Sequence, residues 1–486
     1  MQRLGQITRR YLLHGAAVTA ALLTEDMLSG CATQGASPRP VSRHVPTQIP
    51  FQLYTLGIPT MTNVAASLIQ DFVDTTFNSK HPGIQASYLP PLGMQQVIAQ
   101  ILAGEPAPAV VASNNFDWPL IAPFLEPLDA HFQQHNIRTS LWASKQLAQY
   151  QTGAGLLALP EDAAAQAYIY RQDVLDELGI PYPDPAWTYL DARDIWTRIA
   201  STGGAKPRYG ASIPWNPANP FPGVCILDGF GGGFSDQAGT KCLLDEPGSV
   251  RAGNFVFELF WKNVCVSGDG YPVPGLATGQ VAFSQGADPS LLWAVQNLGS
   301  SAKWDFIPYP RWPVRPATVS ITSFYGINAF TPNKEIAWDL LDFAAIGSEW
   351  QRFYMRLSLA PPNQPRLLEE WMSVVRSVAP LLKSKALQYW TEPALNDQIY
   401  PAFPAFRYDS SQATALLSPT WGQIWSQKLD VQLGFKDIAD RINTLEVLAA
   451  HRPAGPTAAQ RVAVARQARA LFPANGPAIA TAVPGI

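Results

Sequence analysis

The feature that most constrains the fold is a regular alternation of apolar runs and amphipathic stretches between residues 51 and 112. Residues 51–56 form a short apolar run, a candidate buried strand. Ala65, Leu68, Ile69, Phe72 and Val73 follow at helical spacing, and the turn His81-Pro82-Gly83 ends that helix. Residues 84–89 predict a second strand, and residues 94–102 a second helix stopped by Gly104-Glu105-Pro106. Ala109-Val110-Val111-Ala112 predicts a third strand. This order predicts right-handed crossovers and a mixed, mostly parallel sheet flanked by helices, an α/β class. Such sheets bind ligands at the carboxyl ends of their strands.

Of the 486 residues, about 400 to 430 remain once an N-terminal targeting segment and tether are set aside, more than one core supports, so two lobes are expected. Leu156-Leu157-Ala158-Leu159-Pro160 is apolar and closes in proline, a suitable place to cross between them. Beyond it, helices are predicted over 172–178, 189–200, 250–262, 335–343 and 437–449. The segment after Arg452 is rich in Ala, Pro, Gly and Arg, so 451–486 is expected to be a basic, loosely ordered tail. A helix over 458–471 that lies on an anionic membrane is the alternative.

The N-terminus reads as an export signal. Arg9-Arg10 precede an apolar run to Leu23, too short to span a membrane, which takes about 20 residues. The arginine pair resembles a twin-arginine signal. Leu28-Ser29-Gly30-Cys31 resembles a bacterial lipobox, although Glu25 and Asp26 interrupt the apolar approach to it. The expectation is a signal over 1–30, lipidation at Cys31 and a Pro-rich tether over 31–50; a plain signal with a chance cysteine is the alternative. Besides Cys31 there are Cys225, Cys242 and Cys265. One disulfide is possible in any of three pairings, with Cys225–Cys242 slightly favoured; three reduced, buried thiols are the alternative. No His/Cys cluster has metal-site spacing and no cofactor is expected. A net charge of −3 gives no nucleic-acid footprint.

Four segments carry a resemblance. Leu157-Ala158-Leu159-Pro160 leads into 167–175, Leu178-Gly179-Ile180 and Pro185-Ala186-Trp187-Thr188. Gly231-Gly232-Gly233-Phe234-Ser235-Asp236 precedes Asp245-Glu246-Pro247. Leu276-Ala277-Thr278-Gly279-Gln280-Val281-Ala282-Phe283 is the third, and the stretch from Tyr325-Gly326-Ile327-Asn328-Ala329 to Pro332-Asn333-Lys334-Glu335 the most specific. In this order they resemble the extracellular solute-binding proteins of ABC importers, sugar-binding family 1, the maltose-binding-protein-like group. Arg171 stands where the family usually has asparagine.

The resemblance implies a two-lobed, type II periplasmic-binding-protein-like fold. Lobe one would take 51–157 plus 322–358, and lobe two 160–308 plus 362–450. The chain would cross near Pro160, near 308–316 and near Pro361-Pro362; proline occurs at all three places. It also implies a monomer that captures a carbohydrate in an interlobe cleft and hands it to the transmembrane permease of an ABC importer.

A sugar needs aromatic planes for its C–H faces and matched polar groups for its hydroxyls. The loop Ser113-Asn114-Asn115-Phe116-Asp117-Trp118 offers amides, a carboxylate and an indole where a parallel sheet places ligands; the alternative is a helix cap at Asn115 or Asp117 with Trp118 in the core. Glu161 and Asp162 follow the first crossing, and could face the cleft or a solvated hinge. Trp215 is a platform or a loop anchor. Gly232, in a glycine run without a dinucleotide pattern, would let backbone approach a ring. Asp288 occupies roughly the place where the family often carries tryptophan, which suggests a more polar or cationic solute. Tyr325 and Trp390 could enter the cleft or pack in the cores, and core packing is favoured for both. The six histidines supply no clear general base, and no Gly-x-Ser-x-Gly, His-Glu-x-x-His or phosphate loop occurs. Two rivals remain: a binding lipoprotein for a peptide or polyol phosphate, and a surface-anchored carbohydrate-active hydrolase, which needs only two carboxylates.

Overall fold

The computed structural model describes residues 47–52, 62–89, 93–114, 117–161, 165–202, 207–215, 221–236, 241–268, 274–286, 302–319, 323–392, 399–400 and 410–444. The expected signal, Cys31, the tether as far as residue 46 and the basic tail lie outside them, whereas residues 47–50, expected as tether, belong to the first strand. No helix among the described residues is long and apolar enough to cross a membrane.

The chain folds into two lobes. In the first, β1 (Thr47–Gln52) pairs in parallel with β2 (Ile84–Leu89). Helices α1 (Thr62–Thr76) and α2 (Met94–Ala103) alternate with these strands, and β3 (Val110–Asn114) follows. Gly104 ends α2 with φ +71°, a left-handed conformation open to glycine at no steric cost. A three-stranded sheet runs β3–β10–β4, where β4 is Leu159–Pro160 and β10 is Ser323–Ile327. The second lobe holds a five-stranded sheet in the order β9–β5–β8–β6–β7. These strands are β5 (Ala167–Arg171), β6 (Tyr209–Ser212), β7 (Cys265–Val266), β8 (Val281–Gly286) and β9 (Trp304–Ile307).

The pairings are mixed rather than mostly parallel. β10 runs antiparallel to β3 and β4, and β5 antiparallel to β8 and β9. The cause is topological: β5 and β10 are the strands that enter after a crossing. Each starts at the sheet edge where its neighbours end, whereas strands fed by helices start at the opposite edge.

Two further differences from expectation have local causes. β1 begins earlier than residue 51, because Ile49 and Phe51 alternate inward while Gln48 and Pro50 point to the other face. The last described helix, α9 (Val431–Asn443), starts six residues before residue 437. Asp430 caps it, accepting from the backbone N–H of Gln432 at 2.8 Å and of Leu433 at 3.3 Å. Residues 445–449 lie outside the described residues.

The remaining helices used below are α3 (Tyr189–Ser201), α4 (Pro247–Trp261), α5 (Lys334–Leu341), α6 (Ser348–Ser358), α7 (Leu368–Val378) and α8 (Ser410–Trp425). One buried apolar cluster joins β1, α1, α2, β3, β10 and α5. A second joins β5, α3, α4 and α9, and a third joins β5, β9 and α7. Alternation along β5 sends Tyr168 and Tyr170 into the second cluster and Ala167 and Ile169 into the third. Helix α6 is shared: Trp350 and Tyr354 enter the first cluster and Met355 the third. Cys225, Cys242 and Cys265 are buried and carry no disulfide, so the slightly favoured Cys225–Cys242 pairing is not formed. Each sits in apolar core, a small hydrophobe rather than a staple.

Candidate functional site

The chain's crossings bring three strand ends together at one edge of the first lobe. Asn114, the last residue of β3, is paired with Ser323, the first of β10. The Ser323 carbonyl accepts the backbone N–H of Glu161 at 2.7 Å, just beyond β4. On the loop after β3, Ser113 Oγ donates to Asp117 Oδ2. Asp117 occupies the cap position of a short helix (Trp118–Ile121) but makes no capping bond with its side chain. Burial pushes the Asp117 carboxyl above its ordinary range, and the Ser113 hydrogen bond holds part of that rise back. Trp118 is half-buried, edge-on to Tyr150 at 5.0 Å and to Phe324 at 5.4 Å. The core thus grips one part of its ring and leaves part exposed.

The matching edge of the second lobe collects the ends of β6, β7, β8 and β9 around the start of β5. Ser284 pairs with Ser212, Ser212 with Val266, Gly286 with Ala167, and Ile307 with Tyr168. A polar group sits there that the sequence reading missed. Buried Gln166 accepts hydrogen bonds at Oε1 from Gln285 Nε2 and from Tyr309 Oη at 2.7 Å, and its backbone carbonyl accepts from Thr318 Oγ1 at 3.0 Å. Polar residues flanking predicted apolar strands were the available signal.

Of the other candidates, several pack inside the lobes. Glu161 is fully buried, its carboxylate accepting from Tyr325 Oη, so neither faces a solvated hinge. Tyr325 Oη in turn accepts from Trp350 Nε1 at 3.3 Å. Burial and the adjacent Glu161 charge push the Tyr325 phenol well above its ordinary value, so it stays a donor. Trp215 is a loop anchor: its ring packs 5.6 Å from Trp421 and 6.1 Å from Phe257. Trp390 lies in the third cluster, edge-on to Phe306 at 5.4 Å. Gly232 serves packing, since a Cβ there would stand 2.3 Å from the Ser249 backbone nitrogen at the start of α4. Asp162 and Asp288 lie outside the described residues. Arg171 is explained by its contacts. It clasps Asp173 through Nε at 2.8 Å and Nη2 at 2.7 Å, and Nη1 donates to the carbonyls of Leu276 and of Ala277, the latter at 3.0 Å.

A surface cavity of about 380 Å³ lies elsewhere, between the 180–187 loop and α3, and none of the candidate residues line it. Its acidic side chains, Asp184, Asp191 and Asp194, are exposed. No group of metal-ligating side chains occurs among the described residues.

The profile of a family described as bacterial extracellular solute-binding protein matches residues 59–345, well over half of the chain. The chain belongs to that family. A relative, the maltotriose-binding protein of Pyrococcus abyssi, is 25% identical over 240 residues, which is 47% of this chain and 48% of the relative. The chain thus spans about half the length of the curated relative it matches. Two solved structures show the type II fold of such solute-binding proteins. An ABC substrate-binding protein of Listeria monocytogenes in complex with cycloalternan superposes with a TM-score of 0.64 at 16% identity, covering 82% of this chain and 98% of that one. UgpB of Mycobacterium tuberculosis in complex with glycerophosphocholine superposes with a TM-score of 0.63 at 17% identity, covering 83% and 98%.

Proposed function

We propose that this solute-binding protein captures a carbohydrate between its lobes and delivers it, unaltered, to the permease of an ABC importer. The observation that carries the reading is the Asp117 carboxylate and the half-buried Trp118 indole just beyond the end of β3, at the strand ends nearest the crossings. Maltotriose in the name of the Pyrococcus relative and cycloalternan in the Listeria complex point the same way. Lobe one would comprise 51–157 plus 322–358 and lobe two 160–308 plus 362–450; the first and second apolar clusters draw on these two sets of segments, with β1 from Thr47 and β4 to Pro160 added to lobe one. The sugar stabilises the closed form by its differential affinity. The chain works as a monomer held outside the cell by lipid on Cys31, with no enzymatic step.

A melting-shift screen of mono- and oligosaccharides on the Cys31→Ser chain, followed by product analysis, tests this. A saccharide that raises the melting temperature and is recovered intact is the expected result. Cleaved product would establish the hydrolase, and no shift with any saccharide would sink the sugar reading. A polyol phosphate belongs in the same screen, because the UgpB structure holds a phosphodiester in this fold.

A further inference from the structure

Helix α5 does not run straight into α6. Between them Asp342–Ile346 forms a wider, π-type turn, closed by the Gly347 N–H donating to the Asp342 carbonyl at 2.6 Å. Such a break leaves carbonyls without helical partners. Here three successive ones are taken by side-chain amides. Gln351 Nε2 donates to Ala344 O at 3.2 Å, and Asn363 Nδ2 to Ala345 O at 2.9 Å. Gln364 Nε2 donates to Ile346 O at 2.6 Å.

The same amides hold two crossings. Asn363 Nδ2 also donates to Pro160 O at 2.6 Å, and Gln351 Nε2 to the Glu161 carbonyl at 3.4 Å. Gln351 Oε1 accepts the Asn363 backbone N–H at 3.3 Å. Gln351, Asn363, Gln364, Glu161 and Ser323 are fully buried. The far side of the first crossing is tied separately into the second lobe, where the Ala165 N–H donates to Trp390 O at 2.8 Å and Gln166 takes its bonds from Gln285, Tyr309 and Thr318.

A buried polar cluster adds little net stability over apolar packing, but it discriminates sharply between one geometry and another. We propose that Gln351, Asn363 and Gln364 form a hinge clamp that fixes the first and third crossings to lobe one as one body, so that the lobes swing along a single defined path. The three amides are positioning residues and touch no ligand. The proposal rests on the two-lobed closure described above, yet it concerns the ligand-free protein and can fail by itself.

The test is the interlobe distance distribution by pulsed electron resonance. Spin labels are placed at Asp71→Cys on α1 and Arg193→Cys on α3, both exposed, in the full Cys31→Ser chain without ligand. Gln351→Met and Gln364→Met keep volume and remove the amides. The expected result is a distribution roughly doubled in width in each, with Ile438→Ala, a cavity in the second-lobe core, lowering the melting temperature but leaving the width unchanged. Unchanged width in the folded amide variants, or equal broadening in Ile438→Ala, overturns the clamp. Should neither amide variant fold, hydrogen exchange on the unsubstituted chain decides. The Glu161 and Asn363 backbone N–H groups must exchange as slowly as those of β3, and exchange at exposed-loop rates overturns it. A chain that binds no sugar can still pass, and one that binds sugar can still fail.

Discussion

The Tyr325 hydroxyl donates to the Glu161 carboxylate inside the lobe-one junction, and no part of either residue reaches solvent. A buried carboxylate depends on its donors, so Tyr325→Phe is expected to cost about 1–3 kcal/mol. Urea unfolding reads this directly as a lowered midpoint at unchanged slope. A neutral result would mean that the carboxylate is satisfied without the phenol.

Arg171 joins Asp173 to the end of the 274–278 helix. Arg171→Asn is expected to lose about 2 kcal/mol, because a planar, charged fork is exchanged for a short amide. Arg171→Lys recovers only part, since an ammonium cannot bond Asp173 bidentately. Calorimetric melting of the two variants checks both statements.

Acid stability is expected to depend on Glu126. Burial alone would raise its carboxyl, but the hydrogen bond from His131 and the Lys334 ammonium outweigh it and hold it below the ordinary value. A depressed carboxylate contributes stability that is present above its unfolded pKa and is lost as pH falls through the lower folded one. Melting temperatures measured from pH 7 down to about pH 3 should fall, and Glu126→Gln should flatten that fall. An unaltered slope in the variant contradicts the assignment.

The three core thiols should be inert. Burial pushes the Cys242 thiol up to about 12 and those of Cys225 and Cys265 higher still, so almost no thiolate exists near neutrality. In the Cys31→Ser chain, an aromatic disulfide reagent should titrate no thiol until denaturant is added, and three thereafter. A single thiol after unfolding would reveal a disulfide between the other two.

For ligand capture, Trp118→Ala should remove most of the saccharide-induced melting shift while leaving the fold intact, because its ring is only half-buried. Trp215→Ala should instead destabilise the protein by about 3–5 kcal/mol, as expected for a buried tryptophan. Parallel titrations of the two variants separate platform from anchor.

Much of the architecture follows from local pattern. The periodicity at Leu68, Ile69, Phe72 and Val73, the stop at Gly104 and the apolar run at Val110 and Val111 recur in the structure as α1, the end of α2 and β3. Hydrophobic spacing and turn chemistry act over a few residues, so they are legible in a linear string. The loop at Asn114, Asp117 and Trp118 is legible for the same reason, as a polar and aromatic patch at the end of a predicted strand.

The roles of Glu161, Tyr325, Trp215 and Trp390 were decided only in three dimensions. Whether an indole forms a wall or fills a core depends on what packs behind it, and for Trp215 that is Phe257 and Trp421, supplied by distant segments. The antiparallel entry of β5 and β10 depends on which edge each crossing reaches. The amides of Gln351, Asn363 and Gln364 have no signature of their own, because their partners are backbone carbonyls freed by a break in another helix. Sequence by itself determined the local elements and carried the resemblance to the family. Tertiary structure decided which polar side chains are buried at the junction, since burial and hydrogen-bond partnership belong to contacts between residues as far apart as Pro160 and Asn363.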